Sequence, residues 1–228
     1  FVPELHVKNT EMHNKRMQDY KIPTLALSKS KFDQMILKSA GIQPKQIQTS
    51  DTSTQFNLEV KSPNYEEMLK AQTIFQDLAK TGQGFAMDEF NDDGTFCAKL
   101  LHDPKYVVVS DKDSNNILGI GVYGPTHLCR VPNSLVCEVY LATHPSYQKH
   151  GIGTILLDAL MSLIKHEHYE TVLMEAFISS PYVIHWLHKH GFTTTGTLPK
   201  IAYVKGHGFT DSMLLFKDID SYDQFAKL

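Results

Sequence analysis

Glu138 is the ionisable residue whose position most clearly suggests proton-transfer chemistry. It lies inside an otherwise apolar run, residues 136–142, that has the β-branched content of a strand. Because side chains alternate across a strand, Glu138 shares one face with Val136 and Tyr140. Burial on that face would raise the pKa of the carboxyl toward the range of a general base. The alternative is that Glu138 faces solvent or pairs with a Lys or Arg for structural reasons.

The loop after this strand has the residues of an anion-binding site. Gly151 and Gly153 open a segment with helical periodicity. The first amides of a helix are unpaired and the helix dipole is positive there, so a phosphate can approach the bare backbone of a glycine. Lys149 and His150 add positive charge, and Thr154 can donate a hydroxyl hydrogen bond. The alternative for Gly153 is that it allows the helix to pack closely against the strand.

The run Gln148-Lys149-His150-Gly151-Ile152-Gly153 resembles the Q/R-x-x-G-x-G/A signature of the GNAT acetyltransferases, and residues 155–157 continue as the helix of that family does. A dinucleotide-binding fingerprint has a different glycine register and an acidic residue about twenty positions on, so it does not fit. Residues 186–192, which end in Gly-Phe, also resemble the final helix of the family. Residues 196–219 are more loosely similar to a fungal branch that includes acetyltransferases detoxifying proline analogues.

The resemblance implies the GNAT fold. This is an α/β fold with a mixed, mostly antiparallel sheet, helices on both faces, and a central parallel pair of strands splayed around acetyl-CoA. It also implies that backbone groups at the end of the first of these strands pair with the pantetheine arm, and that the pyrophosphate lies over the glycine loop. The implied acetyl-CoA-binding residues are Leu141, Ala142, Thr143, Gln148, Lys149, His150, Gly151, Ile152, Gly153 and Thr154.

Acetyl transfer to an amine requires a base that removes a proton from the amine, directly or through water. The family often carries a catalytic glutamate at or near the place of Glu138, and Glu175 in the neighbouring strand competes for the same role. The tyrosine that protonates the departing thiolate in many members is replaced by Leu187. Tyr182 and Tyr203 are substitutes by residue type, with buried packing as the alternative for each. Solvent can also supply this proton.

The acceptor side is expected to involve Tyr140, Tyr203 and Lys200. Lys200, Lys205 and His207 form a cationic group in the predicted closing loop, which commonly borders the acceptor site in this fold. A cationic rim suits an acceptor with a carboxylate, such as an amino acid, better than a lysine-rich histone tail. A solvated loop explains the same residues equally well.

These groups are positioned by a predicted order of strand, two helices, three strands, helix, strand, helix and two strands. Alternation and turn residues predict strands at 55–60, 106–110, 117–123, 135–142, 171–178, 192–195 and 211–216, with a closing loop over 198–210. Helical spacing of apolar residues predicts helices at 65–80, 88–101, 151–166 and 181–190. The helix at 151–166 joins its flanking strands by a right-handed crossover, which makes those strands parallel.

Residues 1–54 are expected to form an N-terminal extension, with a short helix at 28–38 and a polar linker at 43–55. Residues 55–219 are expected to form the acetyltransferase domain, and residues 220–228 a C-terminal tail. The extension packs on the core or on a second subunit, so a homodimer is one option.

The composition excludes several classes of function. The 228 residues, 42% of them hydrophobic, can bury one substantial core. The formal charge of -3 gives no basic excess, so neither direct nucleic-acid binding nor membrane binding is expected. The three cysteines and twelve histidines lack the spacing of metal ligands, so no metal is expected. Reduced cysteines favour the cytoplasm, with the nucleus as the alternative.

The sequence therefore predicts an acetyl-CoA-dependent N-acetyltransferase that acts on a small amine or amino-acid-like acceptor by direct transfer. A covalent acetyl-enzyme is not expected, because Cys137 alternates away from the face of Glu138. One alternative is a protein or histone lysine acetyltransferase. The other is a catalytically silent, acyl-CoA-binding regulatory domain, for which the replaced tyrosine at Leu187 is the reason.

Overall fold

The computed structural model of the chain describes residues 46–48, 55–86, 101, 104–126 and 135–219. Within these ranges the strands are β1 (Gln46–Gln48), β2 (Gln55–Lys61), β3 (Lys105–Asp111), β4 (Ile117–Pro125), β5 (Val136–Thr143), β6 (Thr171–Phe177), β7 (Thr193–Val204) and β8 (Gly208–Asp218). The helices are α1 (Tyr65–Thr81), α2 (Ile152–His166) and α3 (Pro181–Lys189), with a 3-10 turn at Pro145–Tyr147.

The strands form one sheet in the order β1-β2-β3-β4-β5-β6-β8-β7. Every neighbouring pair is antiparallel except β5 and β6, which are parallel and are connected through α2. Helix α1 packs on one face of the sheet, against Val108 and Ile120, whereas α2 packs on the opposite face, against Val107 and Val139. The predicted mixed, mostly antiparallel sheet with a central parallel pair and helices on both faces is confirmed.

Local sequence explains both ends of α1. The Asn64 side chain accepts a hydrogen bond from the Glu67 amide at 2.9 Å, and the Glu67 carboxylate accepts one from the Asn64 amide at 2.9 Å. This capping box satisfies amides that the helix itself cannot pair. Gly82 ends the helix with φ of 72°, a left-handed conformation that favours glycine. Of the predicted apolar stripe, Leu69 is exposed, and the buried members are Met68, Ile74, Phe75 and Leu78.

Two glycines of β4 allow α2 to lie close to the sheet. A Cβ atom at Gly119 would come within 2.8 Å of a Leu156 methyl group, and one at Gly121 within 2.6 Å of a Leu160 methyl group. Both leucines are completely buried on α2. The glycines therefore fix the depth at which the helix, and the loop at its N-terminus, sit against β5.

The predicted closing pair of strands is present, but the predicted loop between them was wrong. A closing loop over 198–210 was expected, but β7 and β8 are long strands that form a hairpin joined by a turn at residues 205–207. Pro199 and Gly196 suggested a break in the sequence. β7 is the edge strand, however, and its pairing with β8 shifts register at both places, so it accommodates a proline and a glycine.

The predicted polar linker at 43–55 was also partly wrong, because β1 lies inside it and pairs with β2. The predicted helix at 28–38 lies outside the described residues. So does most of the predicted helix at 88–101, of which only Leu101 is described. The remaining predicted strands and helices agree with the structure to within a few residues.

We expect Gly121→Ala to lower the free energy of unfolding by about 1–3 kcal/mol, because the added methyl group overlaps the buried Leu160 side chain. Urea unfolding measures this change. Gly196→Ala is the matched control, since a Cβ there meets nothing within 4 Å and its stability should stay close to that of the parent. Equal effects of the two substitutions would contradict this account of how α2 is seated.

Candidate active site

The parallel strands β5 and β6 separate soon after they meet. Their register pairs Val136 with Thr171, Cys137 with Val172 and Glu138 with Leu173, and no later residues pair. Both strands nevertheless continue, β5 to Thr143 and β6 to Phe177. The opening between them is a gap that an extended ligand can enter as an additional strand.

The loop at the end of this gap has the backbone geometry of an anion site. Gly151 precedes α2 with φ of 78°, and Lys149 also has a positive φ of 64°. The first amide of the helix with a backbone acceptor is that of Ile155, which donates to the Gly151 carbonyl at 3.1 Å. Within the described residues, the amides of residues 151–154 donate to no backbone acceptor. Unpaired amide N–H groups at the N-terminus of a helix can bind an anion.

Close packing does not explain the glycine at position 153. A Cβ atom there would lie 3.7 Å from the Thr143 hydroxyl and 3.8 Å from the Trp186 ring, which are ordinary contacts. Gly153 can therefore be replaced without steric conflict inside the protein. This observation favours a ligand as the reason for a small residue at this position.

The side chains around this loop are held by neighbouring elements. The side-chain NH2 group of Gln148 donates to the side-chain oxygen of Gln83 at 3.2 Å, which ties the loop to the segment after α1. Thr154 Oγ1 lies 3.5 Å from Nε2 of His190, the residue that follows α3. His150 packs edge-on against a phenylalanine of β2, and its Nδ1 is buried without a hydrogen-bond partner among the described residues. Lys149 is exposed.

Glu138 lies at the point where β5 and β6 separate, on the face that α1 covers further along β5. Its Oε2 accepts a hydrogen bond from Thr126 Oγ1 at 2.7 Å, and its Oε1 accepts one from the Tyr140 hydroxyl. No Lys or Arg in the described part of the chain forms an ion pair with Glu138. The ion-pair alternative is thus not seen in these ranges, and Glu138 is held by two hydroxyl groups instead.

Thr126 was not anticipated from the sequence. It follows β4 in a stretch that was expected to be a loop, and nothing in its local sequence marks it as a partner of Glu138. Gly124, which pairs with Glu138 in the β4–β5 register, carries no side chain and so leaves space beside the carboxylate.

Glu175 lies on β6, past the last residue that pairs with β5. Side chains of paired residues point to the same face, so Glu175 and Glu138 share a face of the sheet. Burial is the largest influence on the pKa of Glu175 and raises it. The nearby Ser212 hydroxyl lowers this pKa, and the charge of Glu138 raises it further. The structure therefore brings the two predicted carboxylates to one face of the sheet, where the gap between β5 and β6 begins.

The other predicted site residues lie on α3 and on the β7–β8 hairpin. Tyr182, in the first turn of α3, is 60% exposed, and Tyr203, 47% exposed, packs against Phe209 near the tip of the β7–β8 hairpin. The alternative of buried packing therefore holds for neither tyrosine. Lys200 is exposed on β7, where its amide donates to the Asp211 carboxylate at 2.9 Å. Leu187 is completely buried in the core between α3 and the sheet.

Cys137 is unsuited to be a nucleophile. It is completely buried on the face of the sheet that α2 covers, opposite to Glu138. Burial is the main cause that raises the pKa of its thiol, so the reactive thiolate is disfavoured. This environment supports direct transfer over a covalent acetyl-enzyme.

Comparison with known proteins identifies the class to which this fold and site belong. Residues 71–192 match the Acetyltransferase (GNAT) family. The chain belongs to this family, since the match covers more than half of its length. No curated protein sequence matches the chain.

Solved structures share the fold at low sequence identity. A GCN5-related N-acetyltransferase from Kribbella flavida is 16% identical with a TM-score of 0.61, and the match covers 71% of this chain and 97% of that one. An N-acetyltransferase from Staphylococcus aureus Mu50 is 20% identical with a TM-score of 0.60, covering 72% and 99%. The Salmonella typhimurium protein yncA, whose structure was determined with its cofactor acetyl-CoA, is 17% identical with a TM-score of 0.59, covering 72% and 95%.

Two further features of the described residues concern membranes and metals. None of their helices combines the length and the apolar character needed for a membrane crossing. The same residues contain no group of three or more His, Cys, Asp or Glu side chains arranged to hold a metal ion.

We expect Glu175→Gln to raise the free energy of unfolding at about pH 8 and to lose this gain at about pH 4. Because burial raises the pKa of Glu175 in the folded protein, folding disfavours the ionised form. That cost is present above the folded pKa and disappears as the pH falls below the ordinary value of 4.5. Urea unfolding, followed by the fluorescence of Trp186, the single tryptophan, measures it.

The control for this experiment is Glu170→Gln, the same substitution at an exposed position just before β6. It should show no pH-dependent gain. A gain from Glu175→Gln that is equal at both pH values would contradict the assignment of Glu175 as a carboxyl destabilised by burial.

Proposed function

We propose that this protein is an N-acetyltransferase that moves the acetyl group of acetyl-CoA directly to a small amine or amino-acid-like acceptor. The observation that carries the proposal is the separation of β5 and β6 after Glu138, with a glycine loop and unpaired helix amides at the end of the gap. The catalytic domain in this proposal comprises residues 55–219, and the N-terminal extension supplies the edge strand β1.

In this proposal the co-substrate lies in the gap between β5 and β6. Backbone groups of Leu141, Ala142 and Thr143 pair with the pantetheine arm, and the pyrophosphate accepts hydrogen bonds from the amides of residues 149–153. Gln148 and Thr154 flank the phosphates. The free amides, the left-handed Gly151 and the sterically open Gly153 all fit an anionic ligand at this place.

The transfer step then involves the acceptor nitrogen, the thioester and a base. The nitrogen lone pair attacks the thioester carbonyl, the new C–N bond forms, and the C–S bond breaks as the CoA thiolate leaves. Glu138 takes the proton that the nitrogen releases, directly or through water. The thiolate gains a proton from solvent or from Tyr182, the tyrosine at the start of α3. Thr126 and Tyr140 hold the Glu138 carboxylate toward the gap through their hydroxyl groups.

The buried leucine at position 187 supports one rival function, a domain that binds acyl-CoA without turnover. Release of the CoA thiol in the presence of acetyl-CoA and a panel of amines separates the two functions. Turnover with any amine supports the transferase, whereas tight binding without turnover supports the silent domain. A lysine-containing peptide in the same panel tests the protein-acetyltransferase alternative.

We expect Gly151→Glu to abolish CoA binding, because the substitution places bulk and negative charge where the pyrophosphate is expected. Calorimetry with CoA and quenching of Trp186, which contacts the position of Gly153, both measure binding. Gly206→Glu is the matched control, since this glycine has a similar φ of 80° in the hairpin turn and is exposed. If Gly151→Glu binds CoA as well as the control does, the phosphate site is not at this loop.

We expect Glu138→Gln to lower kcat by about 10²–10⁴-fold while CoA binding stays unchanged, because a general base typically contributes that much. The loss should be largest at the acid end of the pH range, where the unprotonated amine is scarcest. Rates of thiol release between about pH 6 and pH 9 test this. Rates like those of the parent across this range would remove Glu138 from the chemistry.

A further inference from the structure

Two carboxylates lie on one face of the sheet, where the gap between β5 and β6 begins. Glu138 on β5 and Glu175 on β6 are both partly buried there. Neither carboxylate has an ion-pair partner among the described residues. Carboxylates in a partly desolvated place without cations are unfavourable, because their repulsion is only weakly screened. A bound cation would offset the repulsion between these two carboxylates.

A second, independent feature lies beside Glu175. Ser212 on β8 is completely buried, yet its hydroxyl has no hydrogen-bond partner in the described part of the chain. In the β6–β8 register Ser212 pairs with Phe177 and Glu175 pairs with Leu214, so Ser212 and Glu175 point to the same face. The hydroxyl lies close enough to the Glu175 carboxyl to lower the pKa of that carboxyl, and it can rotate toward Glu175 or toward a ligand. A buried hydroxyl without a fixed partner is available to a polar group of a ligand.

The cationic residues that were predicted to border this site do not neutralise it. Lys200, Lys205 and His207 are all exposed on the β7–β8 hairpin. Solvent and salt screen exposed charges strongly, whereas the partly buried carboxylates are screened less. Among the described residues of β5, β6 and the β7–β8 hairpin, the partly buried charges on this face are therefore those of the two glutamates.

The space on this face is also closed by apolar groups. Phe177 packs with Ala86, Ala202 and Val204, which join β6, the segment after α1 and the hairpin. The polar groups that the described strands place beside this wall include the two carboxylates, the hydroxyls of Ser212 and Thr210, and the hydroxyls that hold Glu138. These groups are available for polar recognition of an acceptor in this region.

We propose that the acceptor is a small amine with a second cationic group and no free carboxylate, and that Glu175 and the Ser212 hydroxyl recognise this second group. This inference rests on the proposed acetyl transfer. Glu138 takes the proton from the reacting nitrogen, and Glu175 binds the distant ammonium or guanidinium. The acceptor thus supplies the positive charge that the described residues lack, while a carboxylate on it would be repelled by both glutamates.

Three compounds of similar length separate these features in a thiol-release assay with the full chain. Putrescine has two amino groups, ornithine adds a carboxylate to the same skeleton, and n-butylamine lacks the second amino group. We expect kcat/KM for putrescine to exceed that of each of the others on the order of 10- to 100-fold, as expected for one partly buried charge contact. Agmatine and arginine provide a second pair that differs only in the carboxylate.

Glu175→Gln should reduce the preference for putrescine over both other compounds by about tenfold, mainly through a higher KM for putrescine. Ser212→Ala should change the preference in the same direction by a few fold. Glu170→Gln removes the same charge at an exposed position near the start of β6 and should leave the preferences unchanged.

The possible outcomes separate the proposed acceptor from the proposed acetyl-CoA site. Ornithine or n-butylamine used as well as putrescine would overturn the inference, as would a preference that Glu175→Gln leaves intact. Binding of CoA without turnover of any of these amines would also overturn it and would leave the acetyl-CoA site standing. A protein that binds no CoA at all would instead refute the proposed function.

Discussion

The structure depends on one constraint, the divergence of two parallel strands that start as neighbours. β5 and β6 pair only through Glu138 and Leu173 and then continue apart. A parallel pair left open in this way needs support on both sides, because its backbone groups otherwise lose their partners. β4 pairs with β5 from Cys137 to Thr143, and β8 pairs with every residue of β6, so each strand is held from its outer side. The gap is therefore a stable part of the sheet and not a local distortion.

Helix α2 links this gap to the glycine loop. It begins beside the end of β5 and lies close to the sheet, since β4 presents Gly119 and Gly121 to its buried leucines. The depth of the helix sets the position of its N-terminal amides relative to the open strands. A phosphate bound at Gly151 and an extended arm lying in the gap would therefore belong to one ligand. This relation connects the packing of the core to the proposed co-substrate.

The strands and helices near the site follow from local sequence, and the edges of the sheet do not. The run 136–142, the helix after Gly151 and the hairpin at 105–125 have strong periodicity, and the structure agrees with them. The strand β7 was predicted only at its start, because Pro199 and Gly196 normally interrupt a strand and only an edge position with shifted register accommodates both. β1 was missed because a short polar segment gains strand character only through its partner β2. Pairing energy, which is not local, decided both cases.

The sequence by itself determined the glycine loop, the alternation that places Glu138 and Tyr140 on one face, and the parallel strands that flank α2. These features depend on residue type and short spacing, which a chain carries whatever its tertiary contacts are. Only the tertiary structure decided that Thr126 donates to Glu138, that Glu175 joins it on the same face, and that the buried Ser212 hydroxyl lies beside Glu175. Such contacts join strands distant in sequence, so their geometry is set by sheet register and burial and leaves no local pattern to recognise.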